Sequence, residues 1–379
     1  MTLTRRWALW ALACAALAGS AMLAGCSGAA RPKPAQLPAG LSNPLRQAWS
    51  AKLPGPVDYP LQVHVEGNQV TVAATNGAIV TFDATTGHEI GRAQVKGRLT
   101  AGVGRDGKTM AVVTQDNQLV AIDGAHPIWH QRLSTQSYTA PLVAGGRVFV
   151  LGADRSLFAF DGAGGALLWH TQPPESDPLV LLQGGVLLPV GNTLVAGLAG
   201  RLTGVDPGQG AVQWEAPIAV ARGTNDVERL VDLVGGVVRA GNELCIRAFQ
   251  TAVGCADATD GKVLWTHSAS GGTGLAGDDK TLYGAEADGR VLAWQRANGE
   301  RVWINDALQW RYLSGPQVFG AWVAVGDEKG SVLLLARADG HLVGRAATDG
   351  SAIAVQPVVA ADTLIVVTRA GGVYGFRRS

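Results

Sequence analysis

The sequence predicts an all-β fold, an eight-bladed β-propeller of four-stranded antiparallel blades, closed by pairing an N-terminal strand with the C-terminal blade. Three observations carry that prediction. A turn-and-tryptophan cassette recurs as DGAGGALLWH, DPGQGAVQWE, DATDGKVLWTH and RANGERVWIN, and in weaker form as FDATTGHEIG. The cassettes return about every 42 residues, the spacing of blades with four strands each. The chain also carries 51 glycines and 47% hydrophobic residues but only 16% charged ones, a composition suited to many short strands joined by tight turns.

Taken in order, the elements begin with a leader. Arg5 and Arg6 precede a charge-free apolar run from Trp7 to Leu23, the basic start and apolar middle of a secretory signal peptide, expected over 1–25. That run is too short and too near the terminus to favour a permanent span of about 20 residues. It ends in Leu23-Ala24-Gly25-Cys26, which resembles the bacterial lipobox. The resemblance implies cleavage ahead of Cys26 and acylation of that cysteine. Ser27 stands where lipoproteins retained at the inner membrane carry Asp, so the expected location is the periplasmic face of the outer membrane. Residues 26–44 hold Pro32, Pro34, Pro38 and Pro44 among small residues and read as an extended tether; the propeller is expected over 45–379.

Each cassette has one grammar: an alternating strand, a turn closing on Gly, and Trp four residues beyond that Gly. Glycine supplies the positive φ of the turn, and a preceding Asp hydrogen-bonds the turn backbone. The tryptophan then lands on the next strand, where a large flat ring packs against a neighbouring blade. Trp49, Trp129, Trp169, Trp214, Trp265 and Trp303 occupy this blade-docking position; Gly91 and Gly344 stand there in the two degenerate repeats. Upstream of each cassette, period-two alternation across a Gly-containing turn marks a hairpin, as in RVFVLGADRSLFAFD. The last hairpin, Asp362 to Phe376, has no outer strand after it. LRQAWSAKL, Leu45 to Leu53, supplies one from the other terminus, which removes an exposed edge from the ring.

Charge is nearly balanced, a formal net +1, so the basic footprint of a nucleic-acid binder is absent and no such partner is expected. Cys245 and Cys255 flank a turn near Phe249-Gln250; they either face each other as a bridge across a hairpin or remain two buried thiols. The histidines at 64, 88, 126, 130, 170, 267 and 341 read as surface or turn residues. His126 and His130 are expected to bracket a turn at Pro127, which denies them helical ligand spacing. No GxSxG, HExxH, Walker loop or paired CxxC is present. Catalytic residues, a cofactor and a metal are therefore not expected.

The Gly-to-Trp cassette resembles the tryptophan-docking repeat of quinoprotein dehydrogenases, which hold pyrroloquinoline quinone in a central funnel. The adjacent cysteines and long funnel insertions of those enzymes have no counterpart here. Lipobox, Pro-rich tether, eight repeats and the terminal GGVYGFRRS together resemble the BamB family, lipoprotein subunits of the outer-membrane β-barrel assembly machinery. That resemblance implies a non-catalytic scaffold anchored to the outer membrane by lipid. Its implied partners are the POTRA domains of BamA, other subunits of the machinery and nascent β-barrel proteins.

The longest gap between cassettes, from Trp214 to Trp265, contains RGTNDVERLVDLV. Arg229, Leu230 and Asp232 match the family's acidic stretch ending in Arg-Leu-x-Asp, while Val234 replaces a second acidic residue. The neighbouring contact loop corresponds to Val180, Leu182 and Gln183, with Gln in place of an arginine. By the resemblance these six residues bind the partner. Read alone, the loop is either a small interface centre, with Arg229 and Leu230 inside a charged rim, or a long solvated loop whose charges pair among themselves. Two alternatives to the scaffold follow from the repeat: a quinone-dependent dehydrogenase, and a periplasmic propeller that binds a small molecule in its funnel.

Overall fold

The computed structural model describes residues 32–172, 179, 181–221 and 230–379. The leader, Cys26, Val180 and Arg229 lie outside the described residues. Among the described residues, thirty-two strands form eight antiparallel sheets of four. Seven blades are sequential, spanning 64–94, 104–132, 142–171, 187–217, 233–268, 276–305 and 317–347. The eighth joins the strand Leu45–Lys52 to the edge of Val358–Ala360, Thr363–Val367 and Gly372–Arg378, with Trp49 opposite Gly375. The ring is closed by its two ends, as its sequence predicts.

Blade docking follows from the cassette. Each outer pairing carries a bulge, and the unpaired residue, such as Leu168 or Leu264, sits just ahead of the tryptophan position. Bulges increase local twist and re-aim a side chain, which turns the indole toward the next blade. The residue facing it on the adjacent strand is small: Ala121, Ala159, Gly204, Cys255, Ala293 and Gly375 face the six tryptophans. Each indole then covers the cassette glycine of the following blade. A Cβ on Gly87, Gly165, Gly210, Gly261, Gly299 or Gly340 would lie under 3 Å from the ring of Trp49, Trp129, Trp169, Trp214, Trp265 or Trp303 respectively. All six glycines have φ between 71° and 76°. Five of the indoles also donate Nε1–H to a carbonyl in the next blade's turn, for example Trp49 to Ala84 at 2.9 Å and Trp303 to Arg337 at 2.9 Å. Trp214 is the exception, its buried Nε1 having no acceptor.

The expected turn at Pro127 is strand instead: His126–Arg132 is continuous, with Pro127 paired to Ile122. The missing proline N–H is tolerated because this is an outer edge strand. The expected tether is also partly docked. Ala35 donates its N–H to Gln309 (2.9 Å), Leu37 packs among Leu308 and Leu313, and Ser42 bridges Gly344 in parallel. This strap explains one degenerate repeat, since Pro44 lies 2.6 Å from where a Cβ on Gly344 would stand. A tryptophan there would displace the strap.

Candidate functional site

Two regions have the geometry to recognise something: one face of the ring and the channel through it. Connections between blades, and the turns between the second and third strands of each blade, share one face. Contacts among them confirm this, as when Leu313 bridges Asp327 and the Trp310 N–H donates to the Asp288 carbonyl at 2.6 Å. Thirteen large apolar side chains are exposed among the described residues. Ile90, Ile128, Leu167, Leu168, Val212, Leu264, Val302 and Ile304 lie on outer strands around the rim; Leu179, Leu182, Val220, Trp310 and Tyr312 all lie in inter-blade loops. None lies on the turns of the opposite face.

The structure distributes the expected partner residues unevenly over that face. Leu182 is 61% exposed and Leu230 is half-buried. Gln183 turns inward and donates Nε2–H to the Gly272 carbonyl at 2.7 Å. Asp232 accepts from Arg155, in the third blade, at 3.1 Å, with only 12% and 22% of the two side chains exposed. Gln183 and Asp232 thus fasten the C-terminal ends of the two long connections, while Leu182 faces outward.

The channel encloses about 910 Å³ and is lined by the inner strands of the blades. Its waist is shaped by amides that the sequence reading missed. Gln356 donates Nε2–H to the carbonyls of Pro316 (2.7 Å) and Leu275 (3.1 Å). The Gln62 amide lies across from the first blade against Gly184 and Gly235, where an added Cβ would come within about 2.5 Å of it. Glycine is required there because the ring converges on its axis. His64, on an inner strand facing the channel, is held below its ordinary imidazole value chiefly by burial, which outweighs the pull of Glu66.

Cys245 and Cys255 are opposed in register and joined by a disulfide. Among the described residues, Glu243 alone adds a ligand atom close to them, and its carboxylate pairs with Arg296 at 2.6 Å.

Residues 75–305 match the family model described as outer membrane protein assembly factor BamB. The outer membrane protein assembly factor BamB of Burkholderia pseudomallei is 35% identical over 337 residues, 88% of each chain. The chain belongs to the BamB family. The crystal structure of BamB from Moraxella catarrhalis superposes with a TM-score of 0.79 at 24% identity, covering 88% of this chain and 99% of that one. The quinohemoprotein alcohol dehydrogenase of Comamonas testosteroni superposes at 0.67 with 15% identity, over 91% and 78% of the two chains, a likeness of fold alone. Away from the rim, the exposed large apolar side chains among the described residues gather on the loop face, while Gln62 and Gln356 narrow the channel.

Proposed function

We propose that this BamB-family chain is a non-catalytic scaffold in the assembly of outer-membrane β-barrel proteins. In this reading it is held at the periplasmic face of the outer membrane by lipid on Cys26 and docks the POTRA domains of BamA through the loop face. One observation carries the proposal: away from the rim, every exposed large apolar side chain among the described residues falls on that face. Apolar anchors within a polar rim are what a protein interface needs at its centre. In this reading Leu182 is an outward anchor, and Leu230 and, by the family resemblance, Arg229 are further contact residues. The Arg155–Asp232 pair and the Gln183 hydrogen bond fix Asp232 and Gln183 beside the patch, which lowers the ordering cost of association at those positions.

The test is co-purification from detergent-solubilised outer membranes. The tagged wild-type chain is expected to retain a large outer-membrane protein with periplasmic POTRA repeats, whereas Leu182→Asp and Arg229→Glu lose most of it at unchanged melting temperature. Asp260→Lys, on the opposite face, is expected to retain it. Equal recovery with all four chains would overturn the assignment of the face.

A further inference from the structure

The strap ends at a particular place on the loop face. Gln309 accepts a hydrogen bond from the Ala35 N–H at 2.9 Å, and Arg311 donates Nη1–H to the Ala35 carbonyl at 2.6 Å. The residue between these two clamps is Trp310, 43% exposed, and Tyr312 follows at 53%. The clamp is firm because Arg311 is itself buried and bound to Asp327 at 2.7 Å. Trp310 has φ 62° although it is not glycine. A bulky residue in the left-handed region is an outlier that the surrounding structure must hold in place. The loop therefore presents an indole outward, under strain, beside the point where the chain leaves the propeller.

From these positions we infer that Trp310 and Tyr312 form a membrane-contact patch that rests on the lipid headgroups. The inference rests on the anchoring of Cys26 proposed above. About nine residues separate Cys26 from Ala35, and fully extended they span at most about 30 Å. Trp310, next to Ala35, is thus confined within that distance of the bilayer surface. Indole and phenol rings, each an apolar body with a polar tip, favour the headgroup layer. Exposed side chains around the patch carry both signs, Asp306 and Lys329 among them, so the contact is made by the rings and not by a cationic surface. The protein-docking side of the same face, near Leu182, lies at other blades, and the two contacts are compatible.

The test uses the full-length acylated protein in vesicles of phosphatidylethanolamine and phosphatidylglycerol. A spin label is placed at Asp306→Cys, beside the patch, or at Asp339→Cys, on the opposite face of the ring. Acylation of Cys26 and the Cys245–Cys255 bridge leave the new thiol as the labelling site. The readout is the ratio of collision rates with oxygen, enriched in lipid, and with a water-soluble nickel chelate. The ratio at Asp306→Cys is expected to be at least about three-fold that at Asp339→Cys, and to fall to the latter's level when Trp310→Gly is added. Glycine accepts the left-handed backbone, so this variant is expected to melt no lower than the parent. Equal ratios at the two labels, or no response to Trp310→Gly, overturn the patch while an acyl mass on Cys26 leaves the anchor standing. Absence of the acyl mass overturns both.

Discussion

At the scale of the residue, the cassette glycine satisfies two demands at once. It takes the positive φ that closes its own turn, and it leaves a bare Cα on which the preceding blade's indole lies. Gly340→Ala is expected to destabilise by roughly 2–4 kcal/mol, the left-handed strain adding to displacement of Trp303. Chemical denaturation measures it, and a loss under about 1 kcal/mol would place the indole elsewhere. The tryptophans are not equivalent. Trp303→Phe removes a hydrogen bond worth about 1 kcal/mol and part of a buried ring, whereas Trp214→Phe, with no acceptor to lose, is expected to cost less. His64 adds a pH dependence: burial lowers its folded-state value, so the unfolded chain binds the proton first and stability falls on acidification. Between about pH 7 and 5, His64→Gln is expected to flatten that decline. Much of this scale was legible in the sequence because Gly and Trp sit four residues apart in four of the repeats, at 165/169, 210/214, 261/265 and 299/303. Gln62, Gln356 and the Arg155–Asp232 pair were not, since their partners are 40 or more residues away and are mostly backbone.

At the scale of the element, the strand Leu45–Lys52 does what no other strand does. It completes the last sheet, pairing along its length from Leu45 with Arg378 to Lys52 with Gly372. Deleting 45–53 is expected to abolish a cooperative melting transition, while deleting 27–34 leaves the melting temperature within a few degrees; equal effects would refute closure. This strand was readable from the count of repeats, because one outer strand was lacking at one end and one surplus at the other. The strap was not readable. Proline-rich sequence without apolar period looks like a free linker, and its docking depends on Leu37 finding Leu308 and Leu313 and on Gly344 leaving room for Pro44. The gap at Gly344 was visible as a missing tryptophan, but nothing local said what filled it. The strand at His126–Arg132 was misread as a turn for a related reason: proline ends a strand only where its N–H is needed, and an outer edge does not need it.

At the scale of the whole molecule, eight blades make a ring with two unlike faces. Among the described residues, the turns opposite the loop face are short and carry none of the exposed large apolar side chains, while the loop face collects all of those that are not on the rim. The sequence marked this face only through its longest insertions, at 173–182 and 222–234; that Leu182 points out while Gln183 and Asp232 point in was decided by the fold. The division suggests how a double substitution behaves. Leu182→Asp with Trp310→Gly is expected to lose co-purification no further than Leu182→Asp alone when the proteins are solubilised in detergent, since the second site then has no bilayer to meet. A marked further loss would mean that both sites serve one protein partner.

The strap also has a mechanical consequence. Any pull on the chain ahead of Ala35 meets the clamp at Gln309 and Arg311 before it reaches the closing strand. Load is therefore delivered to the seventh blade, an uninterrupted hairpin stack, and the seam between the two termini stays slack. The one joint in the ring made from both ends of the chain is in this way shielded from the end most exposed to tension.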